Sequence, residues 1–183
     1  MSTEIAEPWN SFLRDLDQVT TGPADLHCIG GFVVTIFYGS ERETVDIDVL
    51  MIQSICNSGE PFERAGKGSE LHTKHGVYLD HVTVIEAYPD EYASRLKEIY
   101  PGAFSNLRLW VPEAHDLALM KLGRNSEKDR DDVKYLARAR LITSNQFRSR
   151  YETEMRPYVA LPEKRTDPIL EFWIEMLNEA ANG

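Results

Sequence analysis

Cysteine is scarce in this sequence. Cys28 and Cys56 are the whole complement, too few for a disulfide framework and in keeping with two ordinary buried thiols in a reducing compartment. No hydrophobic run approaches the ~18 residues that a membrane span needs. The first stretch, MSTEIAEPWNSFLRDLDQ, carries acids where a secretory signal has a basic region followed by an apolar one. A cytoplasmic protein with no membrane partner is expected. Positive charge is also in short supply. Lys and Arg number 20 against 30 Asp and Glu, a net charge of −10, whereas affinity for a nucleic-acid backbone comes from cations that neutralise phosphates. This balance argues against non-specific DNA or RNA coating, but leaves room for a local basic cleft that admits a nucleotide or an RNA end. Internal repeats and low-complexity segments are lacking too.

What is present is enough apolar residue, 42% of the chain, to build a core, and a clear order of elements. Trp9, Phe12, Leu13, Leu16 and Val19 recur at helical spacing from about Pro8 to Val19. A short strand, Asp25 to Ile29, runs into Gly30-Gly31, and the β-branched stretch after it, Phe32 to Tyr38, is read as a helix opened by the glycine pair. A polar loop, Gly39 to Glu43, leads to a strand from Thr44 to Ile52. Residues 53 to 76 carry no clear pattern. Gly76 starts a strand through VYLDHVTVIEA, Pro89-Asp90 begins a helix to about Ile99, and Leu107 to Val111 is a short strand. After Pro112 the pattern is helical: Glu113 to Leu122, Asp129 to Arg140, Ser144 to about Met155, and Asp167 to Ala180. Strands with interleaved helices followed by a helical run predict an α+β (mixed α/β) fold. The expected division is a head over 1–111 and a helical part over 112–183, with no flexible linker.

The triplet Asp46-Ile47-Asp48 carries the most chemistry. In a strand, residues i and i+2 face the same way, about 6 to 7 Å apart along the chain. The two carboxylates then share one face while Val45, Ile47 and Val49 point to the other. Paired acids repel each other unless a hard cation lies between them, and Mg²⁺ is usually held by one or two carboxylates together with substrate phosphates. A solvated acidic edge strand would give the same pattern. Upstream, the Gly30-Gly31 turn lets backbone approach a phosphate, and Ser40, Arg42 and Thr44 form a donor-rich loop suited to phosphate oxygens. Asp80, within VYLDHVTVI, shares a strand face with Tyr78, Val82 and Val84. A carboxylate bordering that mostly apolar surface suits a base or a further metal ligand. Three signals carry less. His72-x-x-His75 with His81 nearby has no cysteine at ligand spacing for a transition metal. Gly66-Lys67-Gly68-Ser69 lacks the spacing and the preceding strand of a phosphate loop. Leu170, Phe172, Trp173 and Leu177 on the last helix are read as core.

The stretch IGGFVVTIFYGSERETVDIDVLMI resembles the signature of the nucleotidyltransferase superfamily, a Gly-Gly or Gly-Ser turn, a helix and an acid-x-acid strand. It is most similar to a small stand-alone bacterial branch that resembles the AbiEii-type toxins and includes an uncharacterised domain group with the pattern G-G…R-x-T-x-D-x-D. Gly31 stands where many polymerase-like members have serine. A second stretch, PEAHDLALMKLGRNSEKDRDDVKYLA, resembles the downstream motif of that branch. The resemblance implies a small mixed sheet with flanking helices, and a Mg²⁺- or Mn²⁺-dependent transfer of a nucleoside monophosphate from a nucleoside triphosphate to an acceptor hydroxyl. It implies Asp46, Asp48 and Asp80 as metal ligands and catalytic acids. Gly30, Gly31, Ser40, Arg42, Thr44 and Arg124 would bind the nucleotide, Lys121 would meet phosphate, Asp129 would organise the site, and Asp132 would be secondary. An RNA end such as tRNA, a protein or a small molecule would be the acceptor, and a cognate antitoxin a possible partner. By composition alone, Asp129 and its neighbours in KDRDDVK also fit a helix N-cap with charge pairs along one face. The rival expectation is an inactive module of the same fold that binds a nucleotide or a partner protein.

Overall fold

The computed structural model describes residues 5–54, 59–83 and 87–182, so Cys56, residues 84–86 of the expected VYLDHVTVIEA strand and the first four residues lie outside the described residues. The chain divides into two compact units, Met1–Thr83 with Lys97–Val111, and Val84–Leu96 with Pro112–Gly183. The fold is α+β.

The first unit is built on a five-stranded sheet. Its helix α1 (Trp9–Val19) forms where the apolar residues recur at i, i+3, i+4 and i+7, and Trp9, Phe12, Leu13 and Leu16 are all buried. The strands are β1 (Ala24–Ile29), β2 (Asp46–Ser54), β3 (Tyr78–His81), β4 (Lys97–Ile99) and β5 (Leu107–Val111). They lie in the order β3-β2-β1-β5-β4. β1 runs antiparallel to β2 and parallel to β5, β3 runs parallel to β2, and β4 closes the other edge antiparallel to β5. Helix α2 (Gly30–Phe32) starts directly at the end of β1 and continues as a π-helical stretch, Val33–Phe37. Residues 53–76, which lack a legible pattern, contain the end of β2 and two single-turn-scale helices, α3 (Glu60–Ala65) and α4 (Glu70–His75). Leu26, Cys28, Phe32, Val33, Ile47, Val49, Leu79 and Leu109 fill the core.

The helix expected over 89–99 does not form as one element. Asp90–Arg95 is a 3-10 helix, and Lys97–Ile99 is β4, paired with β5 through Ile99↔Leu109 and Lys97↔Val111. An available sheet edge outweighs a weak local helix preference.

The second unit is helical. It contains α5 (Ala114–Leu119), α6 (Glu127–Arg138), α7 (Ser144–Arg150) with its π-helical continuation Tyr151–Met155, and α8 (Asp167–Asn182). Phe147 stacks on Trp173 at 6.1 Å between ring centroids, and the Trp173 indole N–H donates to Asn125 Oδ1 at 2.8 Å. Leu170, Trp173 and Leu177 are core as expected, but Phe172 is half exposed, since it lies 100° round the helix from Trp173, on the side away from Leu177. Arg95 joins this unit through polar contacts. It makes two hydrogen bonds to the buried Asp116, at 2.8 and 3.0 Å, and a salt bridge to Glu154 at 2.5 Å. Arg150 also bonds Asp116 Oδ1, at 2.9 Å, and reaches Glu113. Among the described residues, no helix is long and apolar enough to cross a membrane.

Candidate active site

β2 and β3 place the acids. Parallel pairing sets Asp46 opposite Tyr78 and Asp48 opposite Asp80. Side chains alternate along both strands, so Ile47 and Leu79 go into the core and the acids go to the other face. One ligand oxygen from each of Asp46, Asp48 and Asp80 lies within 4.8 Å of the others. Asp80 does not border an apolar surface as expected. It is exposed, and its neighbours across the strand pair are the other two acids. The three oxygen donors suit a hard divalent cation, which prefers carboxylates over nitrogen or sulfur. Thr44 Oγ1 donates to Asp46 Oδ1 at 3.1 Å, and the Tyr78 hydroxyl donates to Asp46 Oδ2 at 3.5 Å. Burial first, and then the charges of Asp46, Asp80 and Asp48, raise the Tyr78 hydroxyl above its ordinary range, so it stays a donor. Behind the acids, burial and the Asp48 charge push the Cys28 thiol up in the same way. Cys28 is a protonated core thiol.

The turn between β1 and α2 lies against Asp48. Ile29 pairs with Asp48, and Gly30 follows with φ +69°, a conformation that costs little only for glycine. A side chain here would also collide, since a Cβ would lie 1.7 Å from Asp48 Oδ2. Gly31 is fitted just as closely. A Cβ at Gly31 would lie 2.1 Å from a terminal nitrogen of Arg42 and 3.1 Å from Thr44 Oγ1. The guanidinium of Arg42 therefore takes the space that the serine of a Gly-Ser turn would use. Thr35 Oγ1 donates to the Arg42 carbonyl at 3.1 Å, and the Arg42 N–H reaches Ser40 Oγ at 3.4 Å, which folds the 40–44 loop back onto α2. The Gly30-Gly31 turn thus lies beside Asp48 and against Arg42 and Thr44 of the 40–44 loop, and Thr44 bonds Asp46.

Lys121, Arg124, Asp129 and Asp132 come together with one another in the second unit. Lys121 is only 4% exposed and bonds Asp132 Oδ2 at 3.0 Å, with Asp129 Oδ1 at 3.5 Å. Asp129 is fully buried and closes a capping box with Ser126 at the start of α6. Arg124 holds it with two bonds of 2.8 and 2.6 Å while remaining mostly exposed. Burial opposes the Asp129 charge, but the hydrogen bonds from Arg124 and Ser126 and the charges of Lys121 and Arg124 outweigh it, bringing its pKa down to about 2. The helix N-cap reading of Asp129 is realised, and it shares the residue with the ion-pair cluster.

The histidines are dispersed among separate contacts. His72 Nδ1 accepts from the Gly68 N–H at 2.9 Å, His75 Nε2 pairs with Asp15 at 2.7 Å, and His81 stacks on Phe62 at 4.5 Å. Among the described residues, Asp46, Asp48 and Asp80 form the grouped metal-ligand set. Sequence reasoning left Tyr78 out of the site and set Lys67 aside with the Gly66–Ser69 run. Strand alternation already put Tyr78 on the face of Asp80, the signal that could have assigned it to the site. The Lys67 ammonium rests 5.6 Å from the Tyr78 ring centroid, a juxtaposition that no local pattern announces.

Residues 11–180 match the family described as "Nucleotidyltransferase of unknown function (DUF6036)". The chain belongs to that family. No curated protein and no solved structure matches it. The match extends to the nucleotidyltransferase level, and the narrower likeness to AbiEii-type toxins rests on the two sequence motifs. Gly31 stands at the serine position of a Gly-Ser turn, and the Arg42 guanidinium lies in the space that a side chain there would need. Gly31→Ser would bring a side chain into the Arg42 position. It is expected to cost about 1–3 kcal/mol by overpacking and to weaken triphosphate binding. The urea midpoint and a nucleotide titration check the two effects separately. Serine that raised affinity would show that Arg42 does not do that work.

Proposed function

We propose that this chain is a Mg²⁺- or Mn²⁺-dependent nucleotidyltransferase that moves a nucleoside monophosphate from a triphosphate to an acceptor hydroxyl. The observation that carries the reading is the convergence of Asp46, Asp48 and Asp80 beside the Gly30-Gly31 turn. Those carboxylates would hold the cation, which when bound supplies a positive charge that neutralises the phosphates and orients them. Gly30 and Gly31 let backbone come close to the phosphates, and Ser40, Arg42 and Thr44 contribute donors. Asp80, the exposed member, has the access to take the proton as the acceptor oxygen attacks the α-phosphorus and pyrophosphate departs. Asp129 and Asp132 neutralise the buried Lys121 within the helical unit, and Arg124 holds Asp129. The acceptor is an RNA end, a protein or a small molecule; the AbiEii likeness favours a tRNA end or a protein, with an antitoxin as regulator and the cytoplasm as location.

A second reading has one observation in its favour. Lys121 is buried and already neutralised by two carboxylates, which suits a module that binds nucleotide without transferring it. The two separate in one experiment. The protein is incubated with Mg²⁺, each of four α-labelled triphosphates and a cell extract, and label is followed into RNA and protein. Transfer that is lost in Asp46→Asn supports the enzyme. Binding of a triphosphate without transfer supports the module, and the absence of both binding and transfer removes both readings.

A further inference from the structure

We propose that Lys67, carried on the loop between α3 and α4, contacts the polyphosphate of the nucleotide at the Asp46–Asp48–Asp80 site. The inference rests on the nucleotidyltransferase reading and adds a residue from outside both motifs. One contact holds the loop against β3 and two brace the loop itself. Gly66 forms a parallel bridge with Leu79, the Ser69 N–H donates to the Gly66 carbonyl at 3.1 Å, and the Gly68 N–H donates to His72 Nδ1. The His72 ring in turn meets the edge of Tyr78 at 5.0 Å between centroids. Lys67 lies between these two held glycines and is exposed at its side chain, with its ammonium over the ring whose hydroxyl donates to Asp46.

The charge at the site explains what this lysine is for. Three carboxylates and one divalent cation sum to a negative site, and a triphosphate adds several more negative charges. Arg42 offers one compensating cation in the glycine turn. Lys67 offers a second from the β3 side, and among the described residues no carboxylate forms a salt bridge with it. Its present partner is a weak exposed cation–π contact, given up easily for a phosphate oxygen, since a charge-assisted hydrogen bond is the stronger interaction. Tyr78 is then a positioning residue: its ring seats the lysine, and its hydroxyl orients Asp46.

The test is titration of wild type and Lys67→Ala with Mg²⁺ plus inorganic tripolyphosphate, with the triphosphate that wild type binds best, and with the matching monophosphate. Tripolyphosphate and triphosphate affinity should fall about tenfold in Lys67→Ala, with a shallower salt dependence, while monophosphate affinity stays the same. Lys67→Arg should retain most of the affinity, and Lys67→Glu should lose more than alanine does. Tripolyphosphate binding equal to wild type in Lys67→Ala overturns the proposal, as does an equal loss for the monophosphate. Asp48→Asn keeps the two claims apart. If it abolishes Mg²⁺-dependent triphosphate binding while Lys67→Ala binds as wild type does, the inference about Lys67 alone falls. If wild type binds no Mg²⁺–triphosphate, the nucleotidyltransferase reading falls and takes Lys67 with it.

Discussion

In a thermal melt with Mg²⁺ and the preferred nucleoside triphosphate, wild type will be stabilised and Asp48→Asn will not. A ligand that binds only the folded state adds about 2.7 kcal/mol at a hundredfold excess over its dissociation constant. Asp48 stands between the glycine turn and the other two acids, against Gly30 on one side and paired in register with Asp80 on the other. On the proposed reading, losing its charge would remove one of the three carboxylates that would hold the cation beside the triphosphate. Asp80→Asn provides the companion measurement. With three carboxylate oxygens within 4.8 Å, repulsion in the ligand-free protein is on the order of 1 kcal/mol per pair where water screens it. Asp80 is exposed, so Asp80→Asn should leave the ligand-free protein as stable as wild type or slightly more so, while also losing the nucleotide-dependent gain. A wild type that shows no shift with any of the four triphosphates would sink the binding half of the proposal. A ligand-free Asp80→Asn that melts lower would make the acid set a structural feature instead.

The second large effect belongs to Lys121. Lys121→Met should destabilise the helical unit by about 3–5 kcal/mol, the usual consequence of removing one partner of a buried ion pair. Asp129 would still be held by Arg124 and Ser126, whereas Asp132, 2% exposed, would lose its 3.0 Å partner. The double variant Lys121→Met/Asp132→Leu should recover much of the loss, because two well-packed apolar groups can replace a buried pair at little cost. In a Trp9→Phe/Trp110→Phe background Trp173 is the one tryptophan left, and its emission against urea concentration gives the midpoint of this unit. Acid should act on the same cluster. The pKa of Asp129 in the folded state is about 2 against an ordinary 3.8, and Glu113, opposed by burial but bonded by His115 and Arg150, is likewise brought from 4.5 to about 2. Groups lowered in this way contribute stability that is complete above the unfolded pKa and is lost as protons bind the unfolded chain more tightly. Trp173 emission should therefore show the unit weakening between about pH 4.5 and pH 2. A Lys121→Met protein as stable as wild type and inactive would reassign the lysine from a structural partner to a phosphate ligand.

The sequence by itself determined those features that follow from the local period of the chain. Two acids separated by one residue in a β-branched stretch must share a strand face, and Trp9, Phe12, Leu13 and Leu16 at helical spacing must share a helix face, whatever packs on them. The glycine pair that opens α2 and the Asp129 cap were legible for the same reason, since both are backbone requirements of one or two residues. Only the tertiary structure decided what depended on partners distant along the chain. β3 alone says nothing of its register with β2, yet that register turns Asp80 into the third member of the acid set. Residues 97–99 became a strand because β5 offered an unpaired edge. Gly31 could be seen as a departure from serine, but only the return of the 40–44 loop revealed Arg42 in its place. Lys121 carried its motif in plain view, while its burial between Asp132 and Asp129 required two helices to pack first. Lys67 reaches Tyr78 because a backbone bridge pins Gly66 to Leu79. Loop closure of this kind is settled by long-range pairing, on which residue order has little local influence.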